Sequence, residues 1–133
     1  MFFGDFNFWI NLPYKDGVEM ATWFNEDDRE TLLENDQLNI AMKNEELLEK
    51  FTEADIYFWP TYKYNPGEDH YDTSKKKRVP AWCDRIVWIR DEKFINPHSY
   101  ERKEISVSDH RPVLGFYTIT TYDHDKVKMM QVW

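Results

Sequence analysis

The chain opens on an apolar run from Phe2 to Ile10 in which Phe, Trp and Ile dominate although the alternation is imperfect. That pattern predicts a β-strand over 2–10. Gly4, Asp5 and Asn7 interrupt it, at places where a bulge or strand end aims polar side chains at one spot. A strand this aromatic is expected to lie inside a larger sheet. After a break at 11–14, residues 16–51 turn to Glu, Leu, Met, Ala and Lys. Val18, Ala21 and Phe24 recur at three-residue spacing. Leu38, Ala41 and Met42, then Leu47, Leu48 and Phe51, repeat the i, i+3, i+4 pattern of an amphipathic helix. Two to four short helices are predicted, with Asn25 and Asn44 as N-caps. Residues 54–59 predict a second strand closed by Pro60. A long loop over 65–80 turns at Pro66-Gly67, and strands are predicted over 81–90, 93–100 and 113–121. Residues 122–133 carry no period and read as a C-terminal extension.

Length and composition narrow the classes. The 133 residues suit one domain, and 41% hydrophobic with 17% aromatic content excludes disorder despite 32% charged residues. A net charge of −8 makes the chain as a whole repel polyanions, so a phosphate site has to be local. No nucleic acid partner is expected. Cys83 stands alone, which rules out an internal disulfide and fits a reducing compartment. No apolar run approaches the roughly 20 residues that span a bilayer, and no basic region leads into a signal-type stretch. Membrane contact is expected to be peripheral only.

Candidate chemistry gathers in 60–88. Tyr62, Lys63 and Tyr64 lead into a polar loop that ends in four cations, Lys75, Lys76, Lys77 and Arg78. Asp84 and Arg85 follow inside an apolar run, both costly to bury without a partner; together they read as the floor of an anion site. The plain alternative for 75–78 is a solvated loop or a nuclear-targeting patch. Asp5 and Asn7, two apart in a predicted strand, share a face and are able to hold and deprotonate a water; an Asx turn or bulge is the plain alternative. Asp109-His110 sits just before a strand. His110 is able to donate to a phosphoryl oxygen if a carboxylate fixes its ring, and Asp84 is the candidate. His70, His98 and His124 have no such setting and read as structural, and Cys83 reads as a small buried hydrophobe.

Read together, three motifs resemble the inositol polyphosphate 5-phosphatases of the endonuclease/exonuclease/phosphatase superfamily. They are Gly4-Asp5-Phe6-Asn7-Phe8; Pro60-Thr61-Tyr62-Lys63-Tyr64 with Tyr71-Asp72-Thr73-Ser74 and Pro80-Ala81-Trp82-Cys83-Asp84-Arg85; and Ser108-Asp109-His110-Arg111-Pro112-Val113. The stretch Asp36-Gln37-Leu38 is similar too. The likeness covers Phe2 to about Thr118. It implies an α/β four-layer sandwich, incomplete here: residues 1–121 match the C-terminal half of the catalytic domain. It further implies Mg²⁺-dependent removal of the 5-phosphate from phosphatidylinositol 4,5-bisphosphate or a related inositol polyphosphate, in the cytoplasm at cytosolic membrane faces. By position, Asp5 is implied as the water-activating base, Asn7 as its positioner, and His110 with Asp84 as the phosphoryl-stabilising pair. Asp109 is implied at the Mg²⁺ ion, and Tyr62, Lys63, Lys76 and Arg78 at the neighbouring 4-phosphate.

Two departures stand out. Trp9 occupies the place where the family usually has Arg, so a charge and a forked donor set are missing. The upstream half, which carries the family's principal metal-binding Glu, an Asn near the metal and a further active-site His, has no counterpart in the chain. Two rivals therefore stay open: a degenerate or truncated domain that binds inositol phosphates or a protein partner such as a complementing N-terminal half, and a nuclease of the same superfamily.

Overall fold

Asn25 does what its position predicts: its side chain accepts the Asp28 N–H at 2.9 Å and starts a helix. In the computed structural model, which describes residues 1–23, 25–90 and 94–121, three helices form: α1 (Tyr14–Thr22), α2 (Glu26–Glu34) and α3 (Gln37–Asn44). The other predicted cap, Asn44, is instead the last residue of α3. Asp36 caps α3, its carboxylate accepting the Asn39 N–H at 3.0 Å. The helical spacing of Leu47, Leu48 and Phe51 does not produce a helix. Turns closed on Glu45 and Leu48 fill that stretch, Leu47 stays exposed, and Phe51 begins a strand. Phe24 and the residues after Thr121 lie outside the described residues.

The strands are β1 (Phe2–Asp5), β2 (Phe51–Glu53), β3 (Asp84–Ile89), β4 (Ile95–Arg102) and β5 (Val113–Ile119). Among them, β1, β3 and β2 make an antiparallel sheet in that order, and β4 pairs with β5 in a hairpin with an irregularity at 97–99. The strand predicted over 2–10 ends at Asp5, because Asn7 takes a positive φ of 55° that no ladder accepts. Residues 54–59 form no strand. Their alternation is real, with Ile56 and Phe58 in the core and Tyr57 and Trp59 outward. Side chains, however, take the carbonyls a partner strand would need: Trp82 Nε1 donates to the Phe58 carbonyl at 3.0 Å and Arg29 to that of Ile56.

Beside Ile56 and Phe58 the core gathers Ile10, Ala21, Leu32, Ala81, Trp82 and Cys83. α1 seats the cationic loop against it. Tyr14 Oη donates to the Asp72 carbonyl at 2.6 Å, and a Cβ added at Gly17 would lie 2.5 Å from Val79 Cγ1. Gly17→Ala is therefore expected to cost about 1–3 kcal/mol through overpacking, read as a lower urea midpoint at unchanged slope.

Alternation along β3 sends Asp84 and Arg85 to opposite faces, and this corrects the expectation that both floor an anion site. Arg85 is 1% exposed. Its Nη1 donates to both oxygens of Asp36 at 2.9 and 3.0 Å, and its Nε and Nη2 clasp Glu53 at 2.7 and 2.6 Å. Tyr100 Oη donates to the same Glu53. Arg85 Nη1 also donates to the Trp82 carbonyl and Nη2 to Asn39 Oδ1, so Arg85 has no N–H to offer a ligand.

The first strand is also not enclosed as expected. It is an edge strand with all four residues exposed, Phe3 at 76%, and Phe116 on β5 is 68% exposed. No helix among the described residues is long and apolar enough to cross a membrane.

Candidate active site

Sheet register makes the first junction: Asp5 on β1 lies directly opposite Asp84 on β3. Asp84 Oδ2 then meets His110 Nδ1 at 2.8 Å and accepts from Thr61 Oγ1 at 2.9 Å. The His110 ring packs on Tyr62 with centroids 4.6 Å apart. Tyr62 feels the charge of Arg78, whose guanidinium lies 4.3 Å from the Trp9 ring centroid. Trp9 Nε1 donates to Asn7 Oδ1 at 2.9 Å, and the Asn7 N–H donates to Asp5 Oδ1 at 2.8 Å. Groups scattered over a hundred positions thus close into one circuit.

Asp5 and Asn7 share this spot by a route that alternation did not foresee. The strand has already ended, and an Asx turn folds the chain back so that the carboxylate holds the Asn7 backbone. The plain reading of the pair is correct in geometry, and the turn is what brings both side chains to the circuit.

The electrostatics favour a charged imidazole. Its hydrogen bond to Asp84 raises the pKa of His110 above the ordinary 6.5; burial works against that, and the charges of Asp84, Asp5 and Asp109 add to it. Burial pushes the Tyr62 phenol up, with Arg78 opposing. Burial also pushes the Cys83 thiol up to about 12, so it stays protonated and inert, as its sequence setting implied.

The substrate-binding candidates divide. Tyr62 and Arg78 belong to the circuit. Lys63 is mostly buried, its Nζ 4.0 Å from Asp72. Lys76 is exposed, and among the described residues only its backbone N–H is tied, to Ser74 Oγ. Asp109 stands close enough to raise the pKa values of both Tyr62 and His110, while its carbonyl accepts the Tyr64 N–H.

Three contributors went unread in the sequence. Thr61 fixes Asp84. Asp72, fully buried, accepts the N–H groups of Ser74 at 2.9 Å and Arg78 at 3.0 Å and so shapes the cationic loop. Burial alone would raise its pKa, but hydrogen bonds from Ser74 and Arg78 and the charge of Lys63 hold it below the ordinary carboxylate value. The spacing of Asp72 and Ser74 was the available signal, since Asx turns bond two residues onward. The third, Trp9, was noted only for the arginine it displaces.

Metal binding fits this chain only in part. Among the described residues no group of three or more His, Cys, Asp or Glu side chains is disposed to hold an ion. Mg²⁺ commonly takes one or two carboxylates with waters and substrate phosphates. Asp109, implied at the ion by the family resemblance, would supply one such ligand and does not make a site by itself.

Residues 1–116 match the model of Endonuclease/Exonuclease/phosphatase family 2. The chain belongs to that family. It is 40% identical over 129 residues to a probable inositol polyphosphate 5-phosphatase of Schizosaccharomyces pombe, a match covering 96% of this chain and 10% of the relative. Over 127 residues it is 39% identical to an Arabidopsis thaliana type IV inositol polyphosphate 5-phosphatase, covering 89% of this chain and 28% of that one. The chain therefore spans well under a third of these family members. A crystal structure of the inositol polyphosphate 5-phosphatase domain of SpSynaptojanin, in complex with inositol (1,4)-bisphosphate and calcium ion, superposes with a TM-score of 0.78 at 43% identity. That match covers 88% of this chain and 33% of the other, so the fold here is a mixed α/β partial domain. Cimex nitrophorin, solved as a ferrous NO complex, also superposes, with a TM-score of 0.75 at 31% identity over 90% of this chain and 41% of that one. Family membership and shape alone therefore do not dictate hydrolysis; the side-chain circuit has to carry the functional reading.

Proposed function

We propose that this chain supplies the phosphate-facing part of a Mg²⁺-dependent phosphatase that removes the 5-phosphate of phosphatidylinositol 4,5-bisphosphate or a related inositol polyphosphate. One observation carries the reading: Asp5 and Asn7, the Asp84–His110 pair and the cation Arg78 close into a single circuit. Water held between Asp5 and Asn7 attacks phosphorus in line. Its proton passes to Asp5, a new P–O bond forms, and the bond to the ring oxygen breaks, that oxygen taking a proton from solvent. His110, whose protonated form Asp84 favours, donates to a phosphoryl oxygen as negative charge builds there. Arg78 grips the neighbouring phosphate through its fork, with Tyr62 and Lys63 beside it and Lys76 as a mobile point charge.

When bound, Mg²⁺ would neutralise phosphoryl charge; Asp109 is this chain's contribution to holding it, with a further donor coming from outside the described residues. The exposed Phe3 and Phe116 and the open edge of β1 support a larger four-layer sandwich completed by a further segment or a complementing half. A lipid substrate places the protein in the cytoplasm, peripheral on cytosolic membrane faces.

Phosphate release from phosphatidylinositol 4,5-bisphosphate, measured with Mg²⁺ and again after EDTA, tests the reading. Release that EDTA abolishes is expected. Changing Lys76 and Arg78 together to Ala is expected to reduce preference for a 4,5-bisphosphate over a 5-monophosphate by roughly 10²–10⁴-fold, since two charge-assisted bonds of about 1.5–3 kcal/mol each are lost. A nuclease would instead keep cutting DNA in the double variant. Background release both from this chain and from one extended upstream would leave only a binding domain.

A further inference from the structure

Trp9 meets the site from two sides. Its indole N–H donates to Asn7 Oδ1 at 2.9 Å, and its ring faces the Arg78 guanidinium, 4.3 Å from the centroid. The backbone at this position is held independently of the side chain: the Trp9 N–H donates to Gln37 Oε1 at 3.1 Å and its carbonyl accepts the Gln37 N–H at 2.9 Å. The course of the chain at residue 9 therefore does not depend on the indole.

An indole N–H only donates, so the atom it meets on Asn7 has to be the carboxamide oxygen. Both N–H bonds of that carboxamide are then turned elsewhere and left to donate. Arg78, lying on an aromatic face, keeps its own N–H groups free at the edge of the guanidinium plane. Among the described residues no carboxylate pairs with it. An arginine at position 9 would set a second guanidinium against Arg78, whereas the indole holds it without like-charge repulsion.

We propose that Trp9 is a positioning residue that couples the two sides of the phosphate site, a role that rests on the phosphatase reading above. It fixes the Asn7 carboxamide as a donor toward the attacked phosphoryl group, and it steadies Arg78 as the clamp on the adjacent phosphate. The ligand class is a ring carrying phosphates on neighbouring carbons, with one phosphate at each side of the indole.

The test uses the full chain, ¹⁵N-labelled, as wild type, Trp9→Phe, Trp9→Ala and Arg78→Ala. Side-chain resonances of Asn7 and Arg78 are followed without ligand, and affinity for inositol 4,5-bisphosphate, whose phosphates lie on neighbouring carbons, is measured by calorimetric titration. Both Trp9 variants are expected to shift the Asn7 carboxamide signals, but only Trp9→Ala moves Arg78 Nε–H, because phenylalanine keeps an aromatic face. Affinity is expected to fall about tenfold in Trp9→Ala and less than threefold in Trp9→Phe. Unmoved Asn7 and Arg78 signals in Trp9→Ala overturn the proposal and leave the phosphatase reading standing. So does unchanged affinity in Trp9→Ala where Arg78→Ala still binds more weakly. A wild-type chain that does not bind the bisphosphate overturns both together. Should Trp9→Ala fail to fold, Trp9→Phe decides: a shifted Asn7 with Arg78 unmoved supports the role, and an unmoved Asn7 ends it.

Discussion

Asp84→Asn is expected to lower the pKa of His110 and to cut phosphate release by roughly 10²–10⁴-fold in a domain containing this segment. The hydrogen bond from His110 Nδ1 to Asp84 Oδ2, 2.8 Å long, is the largest cause of the raised His110 pKa. An amide in its place removes the negative charge that favours the imidazolium. Burial, which acts in the opposite sense, is then opposed only by the charges of Asp5 and Asp109. The sign for stability follows from the same shift. Because the folded-state pKa lies above the unfolded one, the pair's contribution is fully present below the unfolded value and is lost as pH rises through the folded value. A proton-detected titration of His110 C–H signals in wild type and variant measures this directly. An unchanged midpoint in Asp84→Asn would show that the contact does not set the charge of the ring. Release by the wild type is expected to decline with rising pH through the same range, and in the variant the decline should begin at lower pH.

The second large effect lies on the other face of β3. Arg85→Ala is expected to cost about 3–5 kcal/mol, comparable with the whole stability of many small domains. Burial alone would lower the pKa of Arg85, yet hydrogen bonds and charge from Glu53 and the charge of Asp36 raise it well above the ordinary arginine value. Truncation leaves Asp36, fully buried, and Glu53, nearly so, with no cation. It also frees the carboxylate that starts α3 and the one that receives the Tyr100 hydroxyl. Arg85→Lys should recover only part of the loss, since an ammonium does not span two carboxylates as a fork does. Denaturant melts with circular dichroism give the comparison. A loss below about 1 kcal/mol for Arg85→Ala would mean that the two acids find water or other donors, contrary to the burial seen here.

These two residues show how far the sequence could be read. Their adjacency in an apolar run flagged charges that need partners, and each has one, although only Arg85 is fully buried and Asp84 stays partly exposed. What alternation assigns, and a flat reading of the pair missed, is that neighbours on a strand serve opposite faces, so Asp84 joins the site while Arg85 joins the core network. Asn25 was legible as a cap because capping is settled within three residues. Asn44 was not, because the residues after it close into turns on Glu45 and Leu48 and no helix starts there for it to cap. Residues 54–59 have strand periodicity but no strand, since the side chains of Arg29 and Trp82 reach across to occupy their carbonyls. Trp9 looked like a loss of charge along the chain. In three dimensions it is a support for Arg78, a charge 69 positions away.

The sequence by itself determined the chemical inventory: which carboxylates, which imidazole, which cations, and their order in motifs specific enough to name a family. It also determined local events whose energy is spent within a few residues, such as the Asx turn at Asp5 and the cap at Asn25. Only the tertiary structure decided which of those groups meet. Register across β1 and β3 sets Asp5 against Asp84, and the loop before β5 carries His110 to the same place. Hydrogen bonds and ring contacts act over a few ångströms, whereas these partners are separated by tens of residues, so no local period encodes them.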